Sequence, residues 1–87
     1  DLTKFLEKKI NSNSFLFSAR LEVDYLNDKY KLNIPENDQY ETLGGFIVHN
    51  TQDIPESGEV LKISSFEFIV RDVTDTKIET IELKVLN

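Results

Sequence analysis

The sequence predicts an α+β domain of two layers, in which a mostly antiparallel sheet of about four strands carries two helices on one face. Two periodicities support this class. Apolar and polar residues alternate at 66–70 and 81–85, as they do on strands with one buried face. Apolar residues recur at helical spacing at 23–30 and 43–47. With 87 residues, the chain has room for one core.

The first 13 residues stand apart from this pattern. Apolar residues fall there at helical spacing among Lys and Glu, and turn-forming residues follow at 11–14. We predict that 1–13 is a helical connector from a missing upstream domain, and that 14–87 is the domain proper. The alternative is a short amphipathic helix that covers the domain. The apolar positions of the connector are Leu2, Phe5, Leu6 and Ile10.

The first half of the domain is expected to hold one strand and two helices. The strand is predicted at 15–19 and the first helix at 23–30, with the Leu-Asn-Ile-Pro run at 32–35 ending that helix, because the residue before proline disfavours helical geometry. Thr42 is a good N-cap for the second helix. Within that helix, we expect Gly45 to lie against the sheet.

The second half is expected to be β-structure. A Pro/Gly turn at 54–58 precedes two strands, and Ser64 and Ser65 suit a two-residue hairpin between them. In the last strand Ile78 is out of phase with the alternation that follows, which predicts a bulge near Glu79. The predicted core consists of Phe17, Val23, Leu26, Leu43, Phe46, Ile47, Phe66, Phe68, Val70, Ile81 and Leu83.

Composition excludes several function classes. The net charge is −6 and the basic residues form no dense block, so a nucleic-acid surface is not expected. No apolar run approaches the ~20 residues that span a bilayer, so we expect no direct membrane insertion. The chain has no Cys, which removes thiolate metal sites and a thiol nucleophile.

Three short motifs carry a resemblance to a known family. They are YETLGG at 40–45, IPESGE at 54–59 and FEFIV at 66–70. In this order and at these spacings, the chain resembles the CorC/HlyC transporter-associated domain from about residue 14 to residue 85. The chain departs from the family pattern at Ala19, where glycine is usual, and at Ser64-Ser65, where a pair such as Asp-Gly is common.

The resemblance implies a fold similar to a small FAD-binding-type (PCMH-like) module. It also implies a place at the C-terminal end of a membrane protein, on the cytoplasmic side, after a membrane domain and a CBS pair of the same polypeptide. The implied role is non-catalytic regulation of magnesium or cobalt transport. No catalytic residues come with the family, so we expect no enzyme activity, cofactor or metal site.

Other functions remain open from the residues themselves. Gly44 and Gly45 could cradle an anion at a helix start, although packing is the simpler explanation for them. A second function hypothesis is a small-ligand domain for an adenine nucleotide or flavin-like molecule. The acidic residues at 36–41 and 72–79 are expected to be solvated rather than metal-binding, and His49 is expected at the surface. The connector's apolar stripe predicts a weak homodimer.

Overall fold

The computed structural model describes residues 5–86, and it confirms the α+β class with one strand more than expected. The five strands form one antiparallel sheet in the order β1-β2-β5-β4-β3. The elements are β1 (Glu7–Asn11), β2 (Ser14–Ser18), α1 (Val23–Tyr30), α2 (Leu43–Thr51), β3 (Val60–Ile63), β4 (Phe66–Val73) and β5 (Ile78–Val85).

The extra strand is β1, and the prediction of helix for this segment is wrong from Glu7 onward. β1 pairs with β2 in a tight hairpin, in which Asn11 Oδ1 accepts from the Asn13 amide at 2.9 Å. The exposed edge of β2 thereby gains backbone hydrogen bonds. These bonds favour a strand over a helix here, because a helix with this apolar spacing would have no surface to pack against. Phe5, Leu6 and Ile10 remain 41–50% exposed. Leu2 lies outside the described residues, and the role of the segment as a connector stays a prediction.

Both helices rest on the same face of the sheet. In α1, Val23 and Leu26 are buried, and the Tyr30 ring lies 4.9 Å from that of Phe15. The helix ends at Lys31, which has a left-handed φ of 56° and donates its amide to Asn27 O at 2.8 Å. The end therefore comes from a left-handed cap before the proline segment is reached, and not from Pro35 as predicted.

α2 begins as its sequence predicts. The Thr42 side chain accepts a hydrogen bond from the Gly45 amide at 3.1 Å, which confirms Thr42 as the N-cap. Leu43, Phe46 and Ile47 are buried, and the Phe46 ring lies 5.7 Å from that of Phe68 on β4. This contact joins the second helix to the centre of the sheet.

The predicted hairpin and bulge are both present. β3 and β4 meet at Ser64-Ser65, where Ser64 takes a φ of 58°. Glu79 is an unpaired extra residue in β5, and Arg71 is a second one in β4 that the sequence did not indicate. Because of the Glu79 bulge, Ile78 turns inward and is 4% exposed.

All eleven predicted core residues are buried. The core also contains residues outside the predicted set, and two of them, Leu32 and Ile34, come from the loop after α1. The full additional set is Phe15, Ala19, Leu21, Leu32, Ile34 and Ile78. The other face of the sheet carries no element of residues 5–86.

Candidate interaction surfaces

The two motif glycines pack differently. A Cβ at Gly44 would lie 3.0 Å from Ala19 Cβ at the end of β2, whereas a Cβ at Gly45 would meet Thr42 Oγ1 and Tyr40 Cβ at 3.2 Å. Gly44 is buried and Gly45 is half-buried. The close approach of helix to sheet that we expected at Gly45 is therefore made by Gly44.

The amides of both glycines are used inside the domain. Gly44 N donates to Ala19 O at 2.9 Å, and Gly45 N donates to Thr42 Oγ1 at 3.1 Å. An anion cradle requires such amides to point outward with free hydrogens. The geometry therefore favours the packing role of the pair.

The tyrosine of the first motif closes the opposite side of the helix start. The Tyr40 ring lies 5.4 Å from the ring of Phe46 and 5.2 Å from that of His49, and its hydroxyl donates to Pro35 O at 2.5 Å. Burial raises the pKa of Tyr40, and the nearby Glu36 carboxylate adds to this effect. His49 itself is exposed, as expected.

The second motif is also structural. Gly58 adopts a φ of +90°, and its amide donates to Val70 O at 2.6 Å. Ser57 Oγ donates to Arg71 O at 2.6 Å, and Val70 N donates to Glu59 O at 2.9 Å. The turn is thus hydrogen-bonded to β4 beside the bulge of that strand. Since both motifs serve the fold, a functional surface must be sought elsewhere.

One acidic depression does bring sequence candidates together. Glu36, Asp38 and Glu41 line a space of about 520 Å³ with Glu22 and Asp24. Among residues 5–86, however, no three His, Cys, Asp or Glu side chains converge closely enough to hold a metal ion. The second acidic set does not converge either, and its Glu79 carboxylate lies 3.9 Å from Lys77 Nζ.

The junction of β1 and α1 holds a cluster of hydrogen-bonded polar side chains. Glu7 accepts hydrogen bonds from the Tyr25 hydroxyl at 2.8 Å, from Lys29 Nζ at 2.7 Å and from the Tyr30 hydroxyl at 2.7 Å. The side chain of Glu7 is only 17% exposed. This cluster, which we call the Glu7 latch, ties the edge strand to the first helix.

The latch shifts the protonation of its members. The bond from Lys29, followed by that from Tyr30, lowers the pKa of Glu7 below its usual value of 4.5. The Glu7 carboxylate in turn raises the pKa of Lys29. Burial and then the bond to Glu7 raise the pKa of Tyr30. The carboxylate is thus held ionised by its donors.

An open groove lies beside the latch. It encloses about 680 Å³ and is lined by Phe5, Arg20, Leu21, Glu22 and Tyr25 together with the latch residues Glu7, Lys29 and Tyr30. The Arg20 guanidinium carbon lies 5.8 Å from the centre of the Phe5 ring. Sequence reasoning missed this site because its members are far apart in the chain. The one available signal was Tyr25, an aromatic residue on the polar side of α1.

Asn27 of α1 is a further residue whose role the sequence does not predict. Its side chain donates to Ile34 O at 2.8 Å and accepts from Ile34 N at 2.7 Å. The same amide nitrogen donates to Glu36 Oε2 at 3.0 Å. The Asn27 side chain therefore bonds both backbone groups of Ile34, as a neighbouring strand would, and holds the Ile34 side chain in the core.

No helix within residues 5–86 combines the length and the apolar character that a bilayer crossing requires. Comparison with known proteins places the chain among small domains of larger polypeptides. It is 26% identical over 82 residues to hemolysin C of Rickettsia prowazekii, an alignment that covers 92% of this chain and 27% of that protein. The chain therefore spans about a quarter of the length of such relatives.

Solved structures share the fold. The Mg2+ and Co2+ transporter (CorC)-associated region from Neisseria meningitidis superposes with a TM-score of 0.82 at 18% identity, over 92% of this chain and 98% of that one. The domain from a CBS domain protein of Porphyromonas gingivalis gives 0.73 at 22% identity, over 93% and 98%. A Xylella fastidiosa hemolysin domain in complex with Mg++ and Mn++ gives 0.76 at 23%, over 94% and 99%.

These likenesses agree with the motifs described above. The family model of the transporter associated domain, CorC_HlyC, matches residues 8–87, which is nearly the whole chain. The chain belongs to the CorC/HlyC transporter-associated domain family.

Proposed function

We propose that this chain is a non-catalytic regulatory domain of a membrane transport protein, placed on the cytoplasmic side after a CBS pair. Its partners are the CBS pair and the membrane domain of the same polypeptide, and it modulates transport of magnesium or cobalt. The family supports the accessory role. The Neisseria structure is named for a Mg2+ and Co2+ transporter, which supports the proposed ions. The Porphyromonas structure comes from a CBS domain protein, which supports the proposed CBS partner.

The observation that carries this proposal is the Glu7 latch. Phe5 and Leu6 are about two-fifths exposed immediately before it, and we place the junction with the upstream CBS pair at these residues. A displacement of that segment pulls on β1, and the latch passes the displacement to α1. Two packings of this junction, contacted differently by the CBS pair, would shift the populations of the transporter's states.

The experiment is transport of Mg²⁺ or Co²⁺ by the full polypeptide in proteoliposomes. Phe5→Ser with Leu6→Ser should change the dependence of transport on a CBS ligand such as ATP while leaving the protein folded and inserted. The matched control is Ile10→Ser, which removes another exposed apolar side chain of the same N-terminal segment, within β1. An unchanged ATP dependence in the double variant would overturn the proposed contact.

The groove favours a second candidate function, the binding of an adenine nucleotide or flavin. The Phe5 ring beside the guanidinium of the exposed Arg20 is suited to a flat, anionic molecule. Thermal melts of the isolated domain with ATP or FAD test this hypothesis, with Arg20→Gln as the variant that should abolish any shift. The absence of a shift at millimolar ligand would reject the binding hypothesis and leave the regulatory one intact.

A further inference from the structure

The face of the sheet opposite the helices carries apolar and charged side chains in regular rows across the strands. Lys8, Leu16, Glu82, Ile69 and Val60 are paired in one row across all five strands. Leu16 and Ile69 are half-buried, and Val60 is 52% exposed. Three of the five positions in this row are therefore apolar, with Glu82 near the centre of the row and Lys8 at its β1 end.

A second row carries alternating charge. Lys62 pairs with Glu67, and Glu67 pairs with Lys84, so that the signs run plus, minus, plus across β3, β4 and β5. Glu82 of the first row lies 3.4 Å from Arg71, the bulge residue of β4, and this ion pair offsets its charge. A partner of one sign would meet like charge at every second position, which is costly when the charges are close.

A second copy of this chain carries the same alternating charges, so it can place opposite charges against one another and avoid this repulsion. Consider a two-fold axis that lies in the interface, over the gap between β4 and β5 and parallel to both strands. It places β4 of one copy over β5 of the other, and β2 of one copy over β3 of the other. Lys84 then lies opposite Glu67 of the second copy, and Leu16 lies opposite Val60. One patch serves both partners, as in isologous contacts. Sheets packed face to face are about 10 Å apart, a distance that such side chains fill.

We propose that the open face of the sheet is a homodimer interface, formed face to face about this axis. The inference is independent of the regulatory role and uses a different surface from Phe5 and Leu6. About this axis four strands of each copy overlap, because β1 has no opposing strand in the second copy. Four strands about 4.8 Å apart and about five residues long give roughly 300 Å² per copy. The total of roughly 600 Å² is well below the ~1,200 Å² of stable complexes, so the dimer forms only at high concentration.

The test is sedimentation equilibrium of the 87-residue chain up to millimolar concentration. Glu67→Lys places a cation opposite Lys84 of the second copy, and Lys84→Glu places an anion opposite Glu67 of the second copy. Each variant alone should therefore remain monomeric where the parent chain dimerises. An equimolar mixture of the two restores both cross-pairs. It should associate roughly tenfold more tightly than either variant alone, since each exposed pair contributes about 0.2–1 kcal/mol and repulsion is removed as well.

The control uses the same charge changes outside the face. Asp28→Lys and Lys9→Glu are exposed substitutions on α1 and on the helix side of β1, and their mixture should show no gain. Val60→Asp should abolish dimerisation with an unchanged circular dichroism spectrum. An equal gain in the control mixture, a parent chain that stays monomeric, or a dimer lost on Phe5→Ser instead would each overturn the proposal.

Discussion

Gly44 and Ala19 hold the second helix against the end of β2 through a backbone hydrogen bond, at a distance that leaves little room for a side chain on Gly44. The Gly44 amide donates to Ala19 O at 2.9 Å, and the Ala19 amide donates to Glu79 O, also at 2.9 Å, at the bulge of β5. A Cβ on Gly44 would lie 3.0 Å from Ala19 Cβ, tighter than nearly all real contacts. Both positions are fixed by backbone, so neither can turn aside.

We expect Gly44→Ala to destabilise the domain by about 1–3 kcal/mol, the usual range for an overpacked contact. Ala19→Gly removes the opposing methyl, so Gly44→Ala should cost much less in the Ala19→Gly background. Urea melts of the four proteins in this double-mutant cycle measure the coupling. Gly45→Ala is the control. Its new Cβ would meet Thr42 Oγ1 and Tyr40 Cβ at 3.2 Å, a less close contact, and a gain in helix propensity of about 1 kcal/mol offsets the cost of that contact. A cycle with no coupling would contradict the contact.

Phe68 is fully buried, and its ring lies 5.7 Å from Phe46 and 6.1 Å from Phe66. Phe68→Ala should cost about 3–5 kcal/mol, because a phenyl ring is lost and a cavity is left between helix and sheet. Val60→Ala, on the open face of the neighbouring strand, should change the free energy of unfolding by less than about 0.5 kcal/mol. Equal urea midpoints for the two variants would refute the burial of Phe68.

Local patterns were sufficient to predict most of this fold. The Thr42 cap, the Ser64-Ser65 hairpin and the bulge at Glu79 each depend on a few neighbouring residues, and the structure contains all three. Core positions were predictable for the same reason, since alternation and helical spacing report which side of an element is apolar.

The errors come from contacts between distant residues. β1 has helical spacing, but it is a strand because the open edge of β2 offers backbone partners that no local pattern reveals. Its Glu7 finds three donors 18 to 23 residues away. The sequence pattern predicts the close glycine at position 45 rather than 44, because sequence alone does not set the rotation of a helix against its sheet.

Asn27 provides a third prediction. Asn27→Asp replaces the amide that donates to Ile34 O with a second carboxylate beside Glu36, so we expect a loss of about 1–3 kcal/mol. Asn50→Ala is the matched control. Asn50 donates only to Phe46 O within its own helix, and alanine is the better helix former, so stability should hold or rise. Thermal melts compare the two, and an unchanged Asn27→Asp variant would show that the loop does not need this clamp.

The acidic depression supports a prediction about divalent ions. A hard cation needs about six oxygens that converge within about 2.6 Å, and the five carboxylates around this space are exposed and do not converge. Millimolar MgCl₂ should shift the melting temperature no more than NaCl of equal ionic strength, in the parent chain and in Asp38→Asn alike. Calorimetry that gives a saturable site of micromolar affinity, lost in Asp38→Asn, would contradict this expectation.

The Glu7 latch predicts a pH-dependent stability. The pKa of Glu7 is lower in the folded chain than its usual 4.5, so the folded state favours the carboxylate. Its contribution is complete above about 4.5, and it is lost as the pH falls through the lower, folded value. Glu7→Gln should therefore cost roughly 1 kcal/mol at pH 7, after allowance for solvent screening of a surface cluster, and almost nothing at the acid end. Urea melts from pH 7 to pH 3 should show the two stability curves converging.

Glu41→Gln, which neutralises an exposed carboxylate, is the control and should run nearly parallel to the parent chain. Curves for Glu7→Gln and the parent chain that stay equally far apart at every pH would show that the carboxylate charge does not hold β1 to α1.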